Sequence, residues 1–196
     1  MHIIMRNELI HDILSELKKK KMIYLEAPCG WGKTVLLHQL EEAIGRENCT
    51  VIRSADIEMN LMTDTNKEQK ENGEPKIFLV DNLGEWVVSG SIELLVNAIQ
   101  NQSQECRYIF AGRIPLPAQL LPYKLTYQIT IYGKNRLAYS EKELGEICAD
   151  HYQGHREQIR DLYEACGGMP LFLTVAENFL EGMIADDKST ASQQML

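Results

Sequence analysis

Leu9, Ile10, Ile13, Leu14 and Leu17 recur at helical spacing, which predicts an amphipathic helix over 7–19. Met22-Ile23-Tyr24-Leu25 is a short apolar run and predicts a strand over 22–26. The helical period returns in Val35, Leu36, Leu37, Leu40 and Ile44, so a helix is expected over 33–44, with Gly45 ending it. A second strand follows over 50–53. Residues 54–75 are then rich in Asp, Glu, Asn and Lys with little apolar periodicity, and read as a long polar insertion. Lys76 and Asp81 bracket the run Ile77-Phe78-Leu79-Val80, a strand over 76–81 of the kind that parallel sheets bury on both faces.

Ile92, Leu95, Val96 and Ile99 share one face of a helix over 92–100, and two more strands are expected over 107–111 and 127–131. Between those strands Pro115, Pro117 and Pro122 break up a short helical piece. Strands alternating with helices imply an α/β fold, a parallel five-stranded sheet flanked by helices with right-handed crossovers. After Gly133 the pattern is helical only. Ser140 and Glu143 form a capping box that opens a helix ending near His151. A further helix over 156–166 is ended by Gly167-Gly168, and Pro170 suits the first turn of a last helix over 171–184. The expected division is an α/β domain over 1–133, a small all-helical lid over 134–185, and a polar tail over 186–196.

Composition narrows the classes. A hydrophobic fraction of 44% in 196 residues is enough for a core, so wholesale disorder is excluded. The apolar runs are too short to span a bilayer, and the amino terminus carries no apolar signal segment, which points to a cytoplasmic protein without membrane partners. Five cysteines, an odd number without a C-x-x-C pair, argue against a disulfide framework or a zinc site and for reduced thiols. A net charge of -8 makes nonspecific DNA binding unfavourable. The basic run Lys18 to Lys21 closes the first helix, where cations suit the negative end of the helix dipole.

The strongest chemical signal is Ala27-Pro28-Cys29-Gly30-Trp31-Gly32-Lys33-Thr34, of the form A-x-x-x-x-G-K-T. Glycines and small residues let successive backbone N–H groups curl around a phosphate. Lys33 would reach the β and γ oxygens of ATP, or the β oxygens of ADP, and the Thr34 hydroxyl would ligate Mg²⁺. The helix that starts at Lys33 points its positive end at the anion. An apolar strand leading in and an amphipathic helix leading out are the context this motif requires, which makes the reading specific.

Asp81 closes an apolar strand downstream of that loop, the Walker B pattern, and would hold the Mg²⁺ through water or through Thr34. Alone, such an aspartate merely starts a turn with Asn82 and Gly84. Asn82 stands where many P-loop ATPases place a carboxylate to polarise the attacking water, so either Glu85 supplies the base or hydrolysis is slow. Arg113 follows the strand over 107–111 and is either a loop arginine or a group that meets the γ-phosphate. Cys29 reads as an inert small residue rather than a redox switch, and Trp31 as a packing residue or a cover for the loop. His38 and His151 lie on amphipathic helices and read as packing or surface residues.

Four features occur in order: the phosphate loop with an aromatic before Gly32-Lys33-Thr34, Asp81-Asn82, Gly112-Arg113 followed by Pro115-Leu116-Pro117, and Gly168-Met169-Pro170. Together they resemble the signal-transduction ATPases with numerous domains (STAND), especially the MalT-like, large LuxR-type bacterial transcriptional regulators, over roughly residues 1–185. The resemblance implies a P-loop NTPase fold in which the strand carrying a sensor arginine lies between the Walker B strand and the phosphate-loop strand. It implies the sensor role for Arg113, packing of Pro170 near the adenine, and kinship of Arg6 with the arginine that opens the family's first helix. An ordinary helix-start charge is the other reading of Arg6.

The sequence departs from that family at Asn82, at Val35 in place of a second threonine, and over 54–75. The implied activity is an ATP-binding, slowly hydrolysing switch. Its sensor and output domains would lie outside this chain, DNA would be met only through a carboxyl-terminal domain not present here, and nucleotide-dependent self-association is compatible with the class. Two rivals belong to other classes. One is a small-molecule kinase, against which no arginine cluster follows Asp81; the other is a scaffold protein with a structural nucleotide.

Overall fold

A computed structural model describes residues 4–53, 76–101, 106–151, 156–171 and 175. The polar insertion expected at 54–75, most of the helix expected over 171–184, and the tail over 186–196 lie outside the described residues. By its contacts the chain divides into two units.

The first unit, Met5–Cys29 with Lys33–Leu137, is α/β. Its chain runs α1 (Asn7–Leu17), β1 (Met22–Glu26), α2 (Lys33–Ile44), β2 (Cys49–Ile52), β3 (Ile77–Val80), α3 (Leu83–Val88), α4 (Ile92–Asn101) and β4 (Arg107–Gly112). A short 3-10 turn (Ala118–Leu120) then leads into α5 (Leu121–Leu125), β5 (Ile129–Gly133) and α6 (Lys134–Leu137). The five strands form one sheet in the order β2-β3-β4-β1-β5, and every pairing is parallel. The expected α/β class with a parallel five-stranded sheet is therefore what the chain builds.

Side chains alternate across the sheet, and each face has its own core. Met22, Tyr24, Phe78, Val80, Tyr108 and Phe110 share a buried cluster with Leu83 and Trp86 of α3 and Ile92, Leu95 and Ile99 of α4. Within it Tyr108 stacks on Phe78 with centroids 5.3 Å apart and on Phe110 at 5.9 Å. Ile23, Leu25, Leu79 and Ile109, the alternate positions, are buried, as are Ile10, Ile13 and Leu17 of α1 and Leu36, Leu37 and Leu40 of α2. Each such fully buried side chain contributes roughly 1.5–3 kcal/mol. Polar contacts fix where α1 lies: the Tyr132 hydroxyl and Arg136 both donate to Asp12, at 2.9 and 2.8 Å, and Thr130 donates to Glu16 at 3.0 Å.

The observed elements differ from the expected ones in identifiable ways. β5 starts two residues later than the Tyr127–Ile129–Ile131 alternation suggests, because Tyr127 takes a left-handed conformation (φ 55°) and stays exposed. Tyr132, not Tyr127, is the core aromatic of that strand. α3 buries only Leu83 and Trp86, too few positions to display a period. α6 follows β5 directly and groups with the α/β unit.

The second unit comprises Met1–Ile4, Gly30–Gly32 and Ala138–Leu196; its described helices are α7 (Glu141–His151) and α8 (Arg156–Cys166). The capping box is present: the Glu143 N–H donates to the Ser140 hydroxyl at 3.2 Å, and the Ser140 N–H donates to the Glu143 carboxylate at 2.7 Å. After α8 the chain turns through Gly167 and Gly168, both at positive φ. Tyr163 donates to the Tyr139 carbonyl, and the Tyr139 N–H to that of Gly168, each at 2.8 Å. No helix among the described residues is long and apolar enough to cross a membrane. Among the described residues, Cys29, Cys49, Cys106 and Cys166 are in no disulfide.

Candidate functional site at the carboxyl end of the sheet

Register brings the predicted residues to one edge. Glu26 of β1 pairs with Gly112 of β4, Val80 of β3 with Phe110, and Ile52 of β2 with Val80, so these strands end close to one level. The glycine-containing loop over 27–34 leaves β1 at Ala27, whose N–H donates to the Gly112 carbonyl at 3.3 Å. Asp81 leaves β3 and Arg113 leaves β4 at that same edge, where open α/β sheets bind ligands. β4 stands between β3 and β1, the interposition implied by the family resemblance.

The loop's conformation explains its glycines. Gly30 (φ 86°) and Gly32 (φ 69°) are left-handed, a region that a side chain would strain. α2 then begins at Lys33, and the first N–H groups of a helix have no partners within it. Lys33 is buried, and its ammonium donates to the loop's own carbonyls, Ala27 at 2.6 Å and Pro28 at 2.7 Å. Burial pushes the Lys33 pKa below its ordinary value, and the nearby Arg113 guanidinium adds to the depression, while Asp81 and Cys29 act the other way.

Thr34, 47 positions before Asp81 in the chain, donates its hydroxyl hydrogen to the Asp81 carboxylate at 2.8 Å. The other carboxylate oxygen accepts the Asn82 N–H, also at 2.8 Å. Asn82 is left-handed (φ 53°, ψ 42°), a conformation that asparagine adopts more readily than most residues. The amide side chain where a base is common thus coincides with a backbone requirement, and the main chain there orients Asp81.

A hydroxyl and a carboxylate in contact are hard oxygen donors of the kind Mg²⁺ takes, with water and phosphate oxygens completing its octahedron. Among the described residues no group of three or more His, Cys, Asp or Glu could hold a metal by itself. A cation bound here would therefore need the oxygens of a phosphate or of water. The residues fit an Mg²⁺–nucleotide better than a free metal ion.

The remaining predicted residues fall as follows. Ala27 is buried, Pro28 and Cys29 are exposed, and Trp31 is half-buried. Gly30–Gly32 group with the helical unit, within which the Leu171 N–H donates to the Gly30 carbonyl at 2.9 Å. In that unit a Cβ on Gly32 would lie 3.5 Å from the ring of Pro170. Arg113 is exposed one residue beyond β4, and Glu85 is exposed on α3. Arg6 is buried at the start of α1. Its guanidinium donates to the Leu137 carbonyl at 2.7 Å and its N–H to the Gln39 side chain at 3.3 Å, which makes it a clasp between α1, α2 and the end of α6. His38 is half-exposed beside Glu41, at 3.5 Å.

Tyr24 is a residue that sequence reasoning missed. It is fully buried in β1, and its hydroxyl donates to the Ile114 carbonyl, fixing the turn that carries Arg113. Burial pushes its pKa far above the ordinary value, so it stays a neutral donor. Gly112 is required for the same reason: a Cβ there would collide with the Tyr24 hydroxyl. The signal in the sequence was one tyrosine within an otherwise aliphatic strand.

Compared with protein-family models and with curated proteins, the chain matches none.

Proposed function

We propose that this chain binds ATP with Mg²⁺ as a nucleotide-dependent switch, of the kind found in LuxR/MalT-type transcriptional regulators, and hydrolyses it slowly. One observation carries the reading: Thr34, directly after the loop lysine, meets Asp81 at 2.8 Å across 47 residues of chain. In this reading the contact joins the two halves of a metal–phosphate site at the carboxyl end of the parallel sheet. In this reading Lys33 leaves the Ala27 and Pro28 carbonyls for the β- and γ-phosphate oxygens. Thr34 and Asp81 hold the Mg²⁺, the N–H groups of residues 30–34 surround the β-phosphate, and Arg113 meets negative charge at the γ-phosphate.

Slow turnover follows from Asn82, whose amide accepts no proton, so a rate well below the ~10 s⁻¹ median of enzymes is expected. A long-lived bound state suits a regulator whose output depends on which state the ligand favours. Calorimetry with Lys33→Ala tests the reading. The parent chain should bind ATP and ADP in the presence of Mg²⁺. The variant should lose about a hundredfold or more in affinity, since hydrogen bonds to charged groups are worth ~1.5–3 kcal/mol each, while its circular dichroism spectrum stays unchanged. Equal affinity in the two proteins would sink the assignment.

A further inference from the structure

β2 ends at Ile52, and the Asp81 N–H donates to the Ile52 carbonyl at 3.2 Å. Because Ile52 is in register with Val80, the next residue on each strand, Arg53 and Asp81, stand side by side at the carboxyl edge. Arg53 also lines a shallow depression, open to solvent, together with Thr34, Leu37, His38, Val51 and Asp81. Thr34, Leu37 and His38 share one face of α2, being three and four residues apart. Leu37 and Val51 supply the apolar part of this depression, and its polar part contains both members of the Thr34–Asp81 pair.

The charges in this depression are not matched to one another. Asp81 uses one oxygen on the Thr34 hydroxyl and the other on the Asn82 N–H. Among the described residues no ion pair joins it to Arg53. His38 leans toward Glu41, on its own helix. We propose that Arg53 is a further phosphate-binding residue, gripping the terminal phosphate of a bound nucleoside triphosphate from the side of Thr34 and Asp81. The inference rests on the nucleotide-binding reading and adds to it a second arginine, besides Arg113, that would distinguish a triphosphate from a diphosphate.

The chemistry favours arginine at this place. Its planar fork can engage two oxygens of one phosphoryl group, and its charge persists at any working pH. Lys33 opens α2 after the loop that follows β1, and β4 and β3 separate that strand from β2. A terminal phosphate held between Lys33 and Arg53 would have cationic contacts on two sides, with Mg²⁺ at the Thr34–Asp81 pair. Loss of Arg53 should weaken only ligands that carry the third phosphate.

The test is the affinity of ATP and of ADP, each with Mg²⁺, for the parent chain and for Arg53→Ala and Arg53→Lys. Arg53→Ala should lose about ten- to a hundredfold in ATP affinity, the worth of one or two charged contacts, with ADP affinity changed less than about twofold. Arg53→Lys should recover part of the ATP loss. Any change in stability caused by the substitution affects both ligands of the same variant, so the ATP-to-ADP ratio still reads the contact. An unchanged ratio in Arg53→Ala, with tight binding of both nucleotides, overturns the role of Arg53 and leaves the phosphate loop intact. Failure of the parent chain to bind either nucleotide overturns both readings.

Discussion

Two polar arrangements in the α/β unit differ in whether they complete themselves. Between α1 and the end of the sheet, Asp12 accepts from Tyr132 and from Arg136, and the Arg136 guanidinium lies 3.8 Å over the Tyr132 ring. Acid, base and phenol satisfy one another, and the charges cancel. At the carboxyl edge, Lys33 is buried against neutral carbonyls and is repelled by Arg113, and the nearby Asp81 carboxylate, which favours its charge, has its oxygens taken up by a hydroxyl and an N–H. Carbonyls solvate an ammonium without neutralising it. A cation left this way is costly to bury, by several kcal/mol for an unpaired ion. A protein keeps such a group where something else brings the opposite charge. The first arrangement belongs to the fold, and the second is the one that the proposed nucleotide would complete.

Substitutions at the two places should therefore act on different quantities. The larger effect is expected from Asp81→Ala. It removes a metal-facing oxygen and frees Thr34, so Mg²⁺-dependent ATP affinity should fall by about tenfold or more, and most hydrolysis should disappear. Affinity for ADP should fall less. Titration of both nucleotides with and without Mg²⁺ reads this; equal turnover in variant and parent would count against the metal role.

Asp12→Ala should do the opposite. Arg136 and Asp12 are each about half exposed, at 48% and 52%, so their ion pair alone is worth ~0–1 kcal/mol. The buried Tyr132 loses its hydrogen-bond acceptor as well, which brings the expected loss to about 1–2 kcal/mol. Nucleotide affinity should be unaltered. Urea denaturation beside calorimetry separates the two, and a tenfold loss of ATP affinity in Asp12→Ala would show that the two arrangements are coupled.

What the sequence made legible, and what it did not, follows the same division between local and distant causes. β1, α2, β3 and α8 were readable because their apolar period is complete within the element and their ends carry ordinary stop signals. The phosphate loop was readable because all its demands fall within eight consecutive residues, 27–34. The Asp12–Tyr132–Arg136 cluster was not, since its members come together only when β5 pairs with β1, about 120 positions along the chain. Arg53 was not readable either, because its neighbourhood with Asp81 is a property of the β2–β3 register. Asn82 was legible as a departure from a catalytic pattern. Its left-handed backbone, which supplies a reason for asparagine there, is visible only in the fold.

The smallest effect is expected at a third kind of polar group, incomplete yet uncharged. Trp86 is fully buried beneath the β3 end of the sheet, and its indole N–H is the one buried side-chain polar atom without a partner among the described residues. An unsatisfied buried donor costs about 1–3 kcal/mol. The ring itself packs with Phe78, Val80 and Leu83 in the main cluster, and its complete removal should cost about 3–5 kcal/mol. Trp86→Phe deletes the donor and keeps most of the apolar contact, so the two changes oppose each other. The net shift should lie within about 1.5 kcal/mol of zero, far from that of Trp86→Ala. Neither variant should change the ratio of ATP to ADP affinity, because a neutral unsatisfied donor in a core has no bearing on an anion site. Denaturation midpoints of the two variants decide the matter. A loss in Trp86→Phe as large as in Trp86→Ala would mean that the N–H is held by a water molecule and contributes to the fold. In that case Trp86 would join Asp12 and Tyr132 among the groups whose polar contacts are complete.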